Sequence, residues 1–340
     1  MLSSIYPLLR QSLFCLPAET SHHLTIDALA ALGALPFVTG VTARRAPIDC
    51  MGLKFPNRVG LAAGLDKDAR AAEGLASLGF GHVEVGTVTP LPQPGNPLPR
   101  LFRLPEAGAI VNRMGFNSEG VNAMVRRLAG IRERGRLRDT KLGINLGKNK
   151  DTPGEEAYLD YVRGLEAVYP YADYLTLNLS SPNTPGLRAL QSEEALRGLL
   201  SEVLEGRERV SGPAKKPVVV KIAPDLVGED LDAIARVILE LGIDGIIATN
   251  TTITRPNVDA RWQAEAGGLS GQPLKPLSLA MVRGMRERLG PDLPIIGAGG
   301  IAGTTDAQAM LAAGATLVQV YTGFIYRGPI LVQELAALSV

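Results

Sequence analysis

The sequence has little of what metal centres, disulfide scaffolds and membrane spans require. Its 340 residues include only two cysteines, Cys15 and Cys50, and three histidines, two of them adjacent. The cysteines have neither the number nor the spacing of a zinc site or a disulfide framework, so a reducing compartment is the simplest expectation. No run of 18 apolar residues occurs, which argues against a transmembrane helix. We therefore expect no metal site and no membrane-spanning segment.

The net charge of the chain is close to zero. Lys and Arg total 35 against 34 Asp and Glu, which leaves +1 at pH 7, so no basic field for nucleic acid is expected. The N-terminus lacks the basic start of a signal peptide, because Arg10 lies among apolar residues, and we expect no export. With 46% hydrophobic residues the chain can bury a large core, and α/β barrels often use about 200–250 residues as one domain.

Eight short apolar runs, bounded by glycine or polar residues, predict strands. They are Val59–Ala63, His82–Val88, Leu142–Leu146, Tyr174–Leu179, Val218–Ile222, Gly245–Thr249, Pro294–Gly297 and Leu317–Tyr321. Helical stretches such as Glu229–Leu241 lie between most of them. This alternation indicates parallel strands joined by crossovers, and eight units favour an α/β fold of the closed (β/α)8 TIM barrel type. An open doubly wound sheet is the alternative.

The predicted strands end in polar residues or glycine, as at the active-site face of a barrel. The densest group is Asn178–Gly186, which follows the apolar run Tyr174–Leu177 and offers two amides, two serines and a threonine. Burying so many hydrogen-bonding groups without partners would be costly. This stretch therefore predicts a site for a small planar polar ligand.

Two glycine-rich turns predict a phosphate site. Gly297–Gly300 and Tyr321–Gly323 follow the seventh and eighth strands, where barrels often bind phosphate. Neither a Walker motif nor the dinucleotide pattern occurs, so a mononucleotide such as FMN fits. Lys221, at the end of its strand, is suited to place a cation near a reduced flavin. It could instead be a Schiff-base lysine or a snorkelling surface residue.

Six motifs resemble those of the dihydroorotate dehydrogenase family. They are Ala63–Asp68, Asn112–Asn117, Asn145–Asn149, Asn178–Gly186, Ala248–Thr252 and Gly267–Gly271. The N-terminal extension and the serine-type motif resemble the quinone-dependent, membrane-associated class. The resemblance implies FMN-dependent oxidation of (S)-dihydroorotate to orotate in de novo UMP biosynthesis, with a quinone as electron acceptor. It also implies peripheral attachment to the cytoplasmic face of the inner membrane, and we expect a monomer.

The resemblance assigns roles to individual residues. Ser181 would be the catalytic base. The substrate would be held by Lys67, Asn112, Arg113, Met114, Gly115, Phe116, Asn178, Asn183, Asn250 and Thr251. FMN would be held by Ala63, Gly64, Leu65, Asp66, Lys67, Thr87, Asn145, Asn178, Lys221, Thr249, Gly271, Gly300, Tyr321 and Thr322. Asparagine amides both donate and accept, which suits a cyclic imide, and Lys67 suits its carboxylate. Arg113 could make its contact through backbone or guanidinium.

The expected mechanism removes a proton from substrate C5 by Ser181 while a hydride leaves C6 for flavin N5. Serine is a weak base, and the motif contains no adjacent histidine or carboxylate, so the sequence identifies no activator. Cysteine does this work in related soluble enzymes, but neither Cys15 nor Cys50 lies near a predicted strand end.

Residues 1–40 do not follow the barrel pattern, and we predict that they form a separate N-terminal module. The predicted FMN-binding barrel domain spans residues 41–340. Two apolar helical faces are predicted on either side of Leu16–Pro17. Their residues are Ile5, Leu8, Leu9, Leu13 and Leu16, then Leu24, Ala28, Ala31, Leu32 and Leu35. One interpretation is a helical pair that caps the bottom of the barrel. The other, favoured by the resemblance, is an amphipathic module that lies on a membrane and admits quinone, with His22 and Arg103 as contacts.

Three other functions stay open at this point. A flavin barrel that reduces uridine in tRNA would need an RNA-binding surface, against which the balanced charge argues. A phosphate-binding aldolase or isomerase would use Lys221 as a Schiff base. A barrel without catalytic activity would serve as a binding module.

Overall fold

The structure, a computed structural model, describes residues 2–35, 46–137 and 139–338, with side chains from residue 5 onward. The predicted boundary between residues 40 and 41 lies outside the described residues. The helices are α1 (Leu2–Phe14), α2 (Ala18–Ala34), α3 (Ala72–Ala76), α4 (Val121–Arg134), α5 (Ala157–Val168), α6 (Glu193–Val210), α7 (Gly228–Leu241), α8 (Lys275–Leu289), α9 (Thr304–Ala312), α10 (Thr322–Arg327) and α11 (Pro329–Ala336).

Eight parallel strands close into a barrel in the order β3, β4, β7, β8, β9, β10, β12, β13, which confirms the predicted fold. In chain order the strands are β1 (Ile48–Cys50), β2 (Leu53–Phe55), β3 (Val59–Leu61), β4 (His82–Val88), β5 (Leu101–Leu104), β6 (Ala109–Asn112), β7 (Lys141–Leu146), β8 (Tyr174–Asn178), β9 (Val218–Ile222), β10 (Gly245–Ala248), β11 (Gly268–Gly271), β12 (Ile295–Ala298) and β13 (Leu317–Val320). Each predicted barrel strand is present, with ends shifted by at most two residues.

Alternation along the strands separates two cores. On β7, Leu142, Ile144 and Leu146 pack outward into the large core that the surrounding helices share. Inside the barrel, a smaller apolar cluster fills the amino-terminal end, where Phe55 of the β1–β2 hairpin packs among inward-facing residues such as Val219. The carboxyl-terminal end of the barrel interior is polar instead, and this end forms the site.

A three-stranded antiparallel sheet, in the order β11, β6, β5, was not predicted from the sequence. Strands β5 and β6 lie in the connection between β4 and α4, and β11 lies in the connection between β10 and α8. Both connections leave the carboxyl ends of barrel strands. The small sheet therefore covers one side of the barrel mouth.

The N-terminal helices lie on either side of the predicted break at Leu16–Pro17. Helix α1 contacts the last helices, since the Tyr6 hydroxyl donates to the Ile325 carbonyl at 2.6 Å and Arg10 donates to the Tyr326 carbonyl at 2.7 Å. Because α10 follows the last barrel strand, α1 lies near the mouth. The interpretation of a cap on the bottom is therefore wrong, and the β1–β2 hairpin occupies that end instead.

Helix α2 runs down the outside of the barrel against α3. Gly33 and Gly74 are required at this crossing, because a Cβ on Gly33 would lie 2.6 Å from the Gly74 nitrogen. The predicted apolar stripe of α2 faces the other way, with Leu24 50% exposed and Leu35 54% exposed. Within the described ranges, no helix is both long and apolar enough to cross a membrane.

Candidate active site

A cavity of about 1000 Å³, counted with its open mouth, lies at the carboxyl-terminal end of the barrel. The strand ends bring most of the predicted residues together there. The predicted residues that line it are Ala63, Gly64, Lys67, Thr87, Asn112, Met114, Gly115, Phe116, Asn178, Ser181, Asn183, Lys221, Thr249, Asn250, Thr251, Gly271, Gly300, Tyr321 and Thr322.

Four predicted residues do not line the cavity. The Arg113 guanidinium turns away, pairs with Glu265 and stacks 4.9 Å from the Phe102 ring centre. Leu65 is part of the hydrophobic core. Asp66 is buried and accepts backbone hydrogen bonds from Arg70 at 2.7 Å and Ala71 at 2.8 Å ahead of α3. Its role is therefore to hold the turn.

Asn145 is the fourth, and it lies beneath the cavity instead of lining it. It is fully buried in the barrel interior, where its amide nitrogen donates to Glu84 at 2.7 Å and its oxygen accepts from Thr87 at 2.5 Å. Asn145 thus supports a lining residue from below.

Several lining residues were not predicted from the sequence. They are Ala62, Ser270, Leu274, Ile301, Gln319 and Val320, whereas Ala298, Gly299 and Gly323 belong to the two glycine-rich turns that were predicted to bind phosphate. Most of the unpredicted residues are apolar and have no chemical signature in the sequence. Gln319 is different, because a polar residue within an apolar strand stands out when the inward positions are counted. Ser270 belongs to a quoted motif and could also have been found.

Lys221 provides a buried cation at the cavity. It is 5% exposed, and burial lowers the pKa of its ammonium, whereas the carboxylate of Glu84 acts to raise it. Among the described residues, none makes a hydrogen bond or ion pair with its Nζ. The ammonium is therefore available to a ligand in the cavity.

Lys67 is the second lysine of the cavity, at its wall. Its Nζ donates to Asn117 Oδ1 at 2.8 Å. Burial, followed by the nearby positive charge of Arg100, lowers the pKa of Lys67 to about 7, although Glu19 and Asp68 oppose the shift. An anionic ligand at this point would favour the charged lysine.

The loop after β8 displays Ser181 at the cavity. Ser181 is 6% exposed, and its Oγ accepts a hydrogen bond from the Asn183 backbone N–H at 3.2 Å. The Asn183 side chain donates to the carbonyl and to the amide oxygen of Asn112, both at 3.2 Å. These bonds tie the serine loop to the end of β6 on the opposite wall.

Glycines keep the backbone open where the sequence predicts a phosphate. Gly300 has φ +76°, and a Cβ there would lie 2.4 Å from the Lys275 Cβ. A Cβ on Gly323 would lie 2.1 Å from the Ile301 carbonyl oxygen. Only glycine fits either position, which leaves backbone N–H groups accessible to a phosphate.

The Gln319 amide oxygen is buried without a partner among the described residues, although its amide nitrogen donates to Glu84 at 2.9 Å. A buried acceptor without a donor indicates that a ligand completes the site. Together with a free ammonium and a glycine-lined turn, this donor and acceptor set fits a flavin mononucleotide.

The relatives of the chain agree with this chemistry. The family model described as dihydroorotate dehydrogenase matches residues 46–337. The chain belongs to the dihydroorotate dehydrogenase family. Membership implies a flavin cofactor.

Individual relatives cover almost the whole chain. A dihydroorotate dehydrogenase (quinone) of Burkholderia thailandensis is 53% identical over 339 residues, which are 98% of this chain and 97% of that protein. One of Burkholderia cenocepacia is 52% identical over the same shares. The crystal structure of the DHODH of Eimeria tenella in complex with ferulenol is 42% identical, with a TM-score of 0.87 over 94% of this chain and 89% of that one.

The two predicted quinone contacts lie at the junction of the N-terminal helices with the barrel. Arg103 donates to the carbonyls of Leu13 at 3.1 Å and Phe14 at 3.4 Å, and also to that of Leu16. Burial lowers the pKa of His22 to about 3, so its imidazole is neutral. An apolar groove beside Arg103 is lined by Phe14, Ala18, Leu101, Phe102, Pro105 and Trp262.

Proposed function

We propose that this protein uses FMN to oxidise (S)-dihydroorotate to orotate in de novo UMP biosynthesis and passes the electrons to a quinone. One observation carries the proposal: Ser181, two lysines and a set of asparagines converge on one cavity with glycine-lined turns. No other described cavity combines these groups.

FMN would be held along the cavity floor and the β12–β13 edge. Gly300, Gly323 and Thr322 would donate hydrogen bonds to the phosphate oxygens from backbone N–H groups and a hydroxyl. Lys221 would place its ammonium near the ring, where it stabilises a reduced flavin. When bound, FMN supplies the hydride acceptor for the reaction.

Substrate would be held by the amides and Lys67 above that floor. Dihydroorotate has one carboxylate and a cyclic imide with alternating donors and acceptors. Asn112, Asn183 and Asn250 offer both kinds of group to the imide, and the Lys67 ammonium offers charge-assisted hydrogen bonds to the carboxylate. The Arg113 side chain has no part in this, since it faces Glu265.

Ser181 would remove the proton from substrate C5. The Asn183 N–H bond to its Oγ stabilises negative charge on that oxygen, which is the one activating contact that the described residues provide. The bond from the Asn183 side chain to Asn112 holds the loop that carries Ser181 against the opposite wall.

The N-terminal helices would attach the protein to the cytoplasmic face of the inner membrane and admit the quinone. Leu8 of α1 is 68% exposed and Leu24 of α2 is 50% exposed, so apolar side chains are available for insertion. The groove beside Arg103 lies between this module and the barrel, which suits the entry of a lipid-soluble acceptor. We propose a monomer, because electrons could leave to the quinone through the N-terminal helices without a second subunit.

The experiment compares electron acceptors. Purified protein should show the visible spectrum of a flavin and reduce a soluble quinone with dihydroorotate, while NAD is inactive. Borohydride trapping of a carbonyl substrate on Lys221, in a colourless protein, would favour the Schiff-base enzyme instead.

A further inference from the structure

Glu84 is a buried carboxylate that the proposed reaction does not use. It lies on β4 inside the barrel, with 0% exposure, beneath the cavity. Its Oε1 accepts from the Asn145 amide at 2.7 Å. Its Oε2 accepts from Tyr174 at 3.1 Å, from Thr176 at 3.2 Å and from the Gln319 amide at 2.9 Å. All four partners offer hydrogen atoms, so this side chain acts as a pure acceptor.

The Asn145 amide is oriented by this acceptor. Because a carboxylate cannot donate, the NH2 of Asn145 must face Glu84, and its oxygen must face upward. That oxygen accepts from the Thr87 hydroxyl at 2.5 Å and from the Asn178 amide at 3.2 Å.

The same orientation continues to the substrate face. Asn178 has its NH2 directed down to Asn145 and Thr87, so its oxygen points up and accepts from the Asn250 amide at 3.2 Å. The oxygen of Asn250 then accepts from the Thr251 backbone N–H at 2.8 Å. The side-chain amides of Asn145, Asn178 and Asn250 therefore all point in one direction. They form an asparagine chain of hydrogen bonds that starts at Glu84 and ends at the mouth of the cavity.

We propose that Glu84 is a positioning residue that fixes the direction of Asn145, the first amide of this asparagine chain, and thereby supports the donor and acceptor pattern that the substrate meets. The inference rests on the proposed function for the identity of the ligand. Asparagine is symmetrical in shape, so packing alone distinguishes its two ends poorly, whereas an ion that only accepts distinguishes them completely. Neighbouring bonds in such a chain also polarise one another.

Glutamine at position 84 would reverse Asn145, the first amide of the chain. Three donors face Oε2 and one faces Oε1, so the amide oxygen of Glu84→Gln should occupy the Oε2 place. Its NH2 would then face the NH2 of Asn145, which has to turn over. Asn178 and Asn250 would stay as they are, because the backbone N–H groups of Ser180 and Thr251 donate to their amide oxygens, so the turned Asn145 would present its NH2 to the NH2 of Asn178.

The test measures orotate affinity from the change in the flavin spectrum, together with anaerobic flavin reduction by dihydroorotate. Glu84→Gln should keep its flavin but bind orotate at least about tenfold more weakly, the size expected for mismatched bonds to charged or buried amides. The matched control Thr176→Val removes one donor to the same carboxylate and should change orotate affinity by less than about threefold.

A rescue separates direction from packing. The double variant Glu84→Gln/Asn145→Asp moves the carboxylate from position 84 to position 145. The NH2 of the glutamine at position 84 can then donate to this carboxylate from below, and the NH2 of Asn178 can donate to it from above. Orotate affinity should return to within about threefold of wild type. The inference is overturned if Glu84→Gln binds orotate like wild type, or if the double variant is no better than the single one. If dihydroorotate does not reduce the flavin of the wild-type protein, the result would instead count against the proposed function.

Discussion

The two lysines of the cavity have different surroundings and should respond differently to pH. Lys221 is enclosed by the barrel, with Glu84 as the charge that acts to raise its pKa. Lys67 lies at the wall, where burial and Arg100 bring its pKa to about 7. The pH dependence of ligand binding near neutrality therefore reports on Lys67.

Orotate affinity should fall as pH rises through about 7. Lys67 is charged below its pKa, and the carboxylate of orotate binds the charged form. The affinity should therefore be highest below pH 7 and should fall by up to about 100-fold by pH 9, one decade for each pH unit above the pKa. Titrating the flavin spectrum with orotate between pH 6 and 9 measures this. Lys67→Met should abolish the dependence, whereas exposed Lys54→Met should keep it. A flat profile in wild type would contradict the role of Lys67.

Removal of the Ser181 hydroxyl should slow flavin reduction without releasing the flavin. Ser181→Ala is expected to lower the rate of anaerobic reduction by dihydroorotate by about 10²–10⁴, the range of general base effects. Stopped-flow absorbance gives the rate, and the visible spectrum gives the flavin content. Reduction at the wild-type rate would show that the proton leaves to another group.

For individual residues, the sequence predicted which residues belong to the site better than it predicted where their side chains point. Ser181, Lys67 and Lys221 line the cavity as expected. Arg113 does not, because Glu265, distant in sequence, pairs with its side chain. Side-chain direction depends on such partners, which no local motif reveals.

At the scale of elements, the turns after β12 and β13 determine whether a phosphate can approach the backbone. Gly300 combines φ +76° with contact to the start of α8, so any side chain there both strains the backbone and pushes against Lys275. This turn therefore has no space for a side chain at position 300.

Gly300→Ala should therefore weaken FMN binding. A strained backbone costs about 1–3 kcal/mol, which corresponds to roughly 5- to 150-fold in affinity if it is relieved only when FMN is absent. Fluorescence of released FMN on dilution measures the dissociation constant. Gly198→Ala, on the open face of α6 with nothing within 4 Å, is the control and should leave FMN binding unchanged. Equal affinity in both variants would exclude this turn from the phosphate site.

Helix α1 is the element through which we expect membrane attachment. Leu8→Glu/Leu9→Glu replaces two leucines that are 68% and 44% exposed, so the fold should be unaffected. Loss of two leucines that would insert into the lipid should reduce the partition to lipid vesicles by at least about 100-fold. Flavin reduction by dihydroorotate should stay at the wild-type rate.

The matched control for this change is Leu159→Glu. Leu159 is 50% exposed on α5, away from the N-terminal helices, and its replacement should leave vesicle partition as in wild type. Sedimentation with vesicles compares the variants. Undiminished binding of the α1 variant, or equal loss in the control, would contradict attachment through α1.

The whole barrel could be predicted because each strand is a short apolar run and the helices between strands are regular. Burial on both faces makes such strands nearly uniform in composition. The sheet of β5, β6 and β11 could not be predicted, because its strands come from two connections that are far apart in sequence. In addition, β11 consists of Gly-Leu-Ser-Gly, which resembles a turn.

The position of the N-terminal helices also required the structure. Their sequence gives two apolar faces, and either face could have packed against the barrel. Contacts of Tyr6 and Arg10 with carbonyls of the last helices decide the outcome for α1, and the glycine crossing with α3 decides it for α2. Packing between distant elements, unlike periodicity, is not encoded locally.

The proposed reaction requires one barrel mouth that holds a flavin beside its reductant. Anaerobic titration of the purified holoenzyme with dihydroorotate tests this most directly. We predict loss of the oxidised flavin absorbance at one dihydroorotate per flavin, with one orotate formed, and return of the absorbance when quinone is added. A flavin spectrum that dihydroorotate leaves unchanged, or a protein that cannot be loaded with flavin, would contradict it.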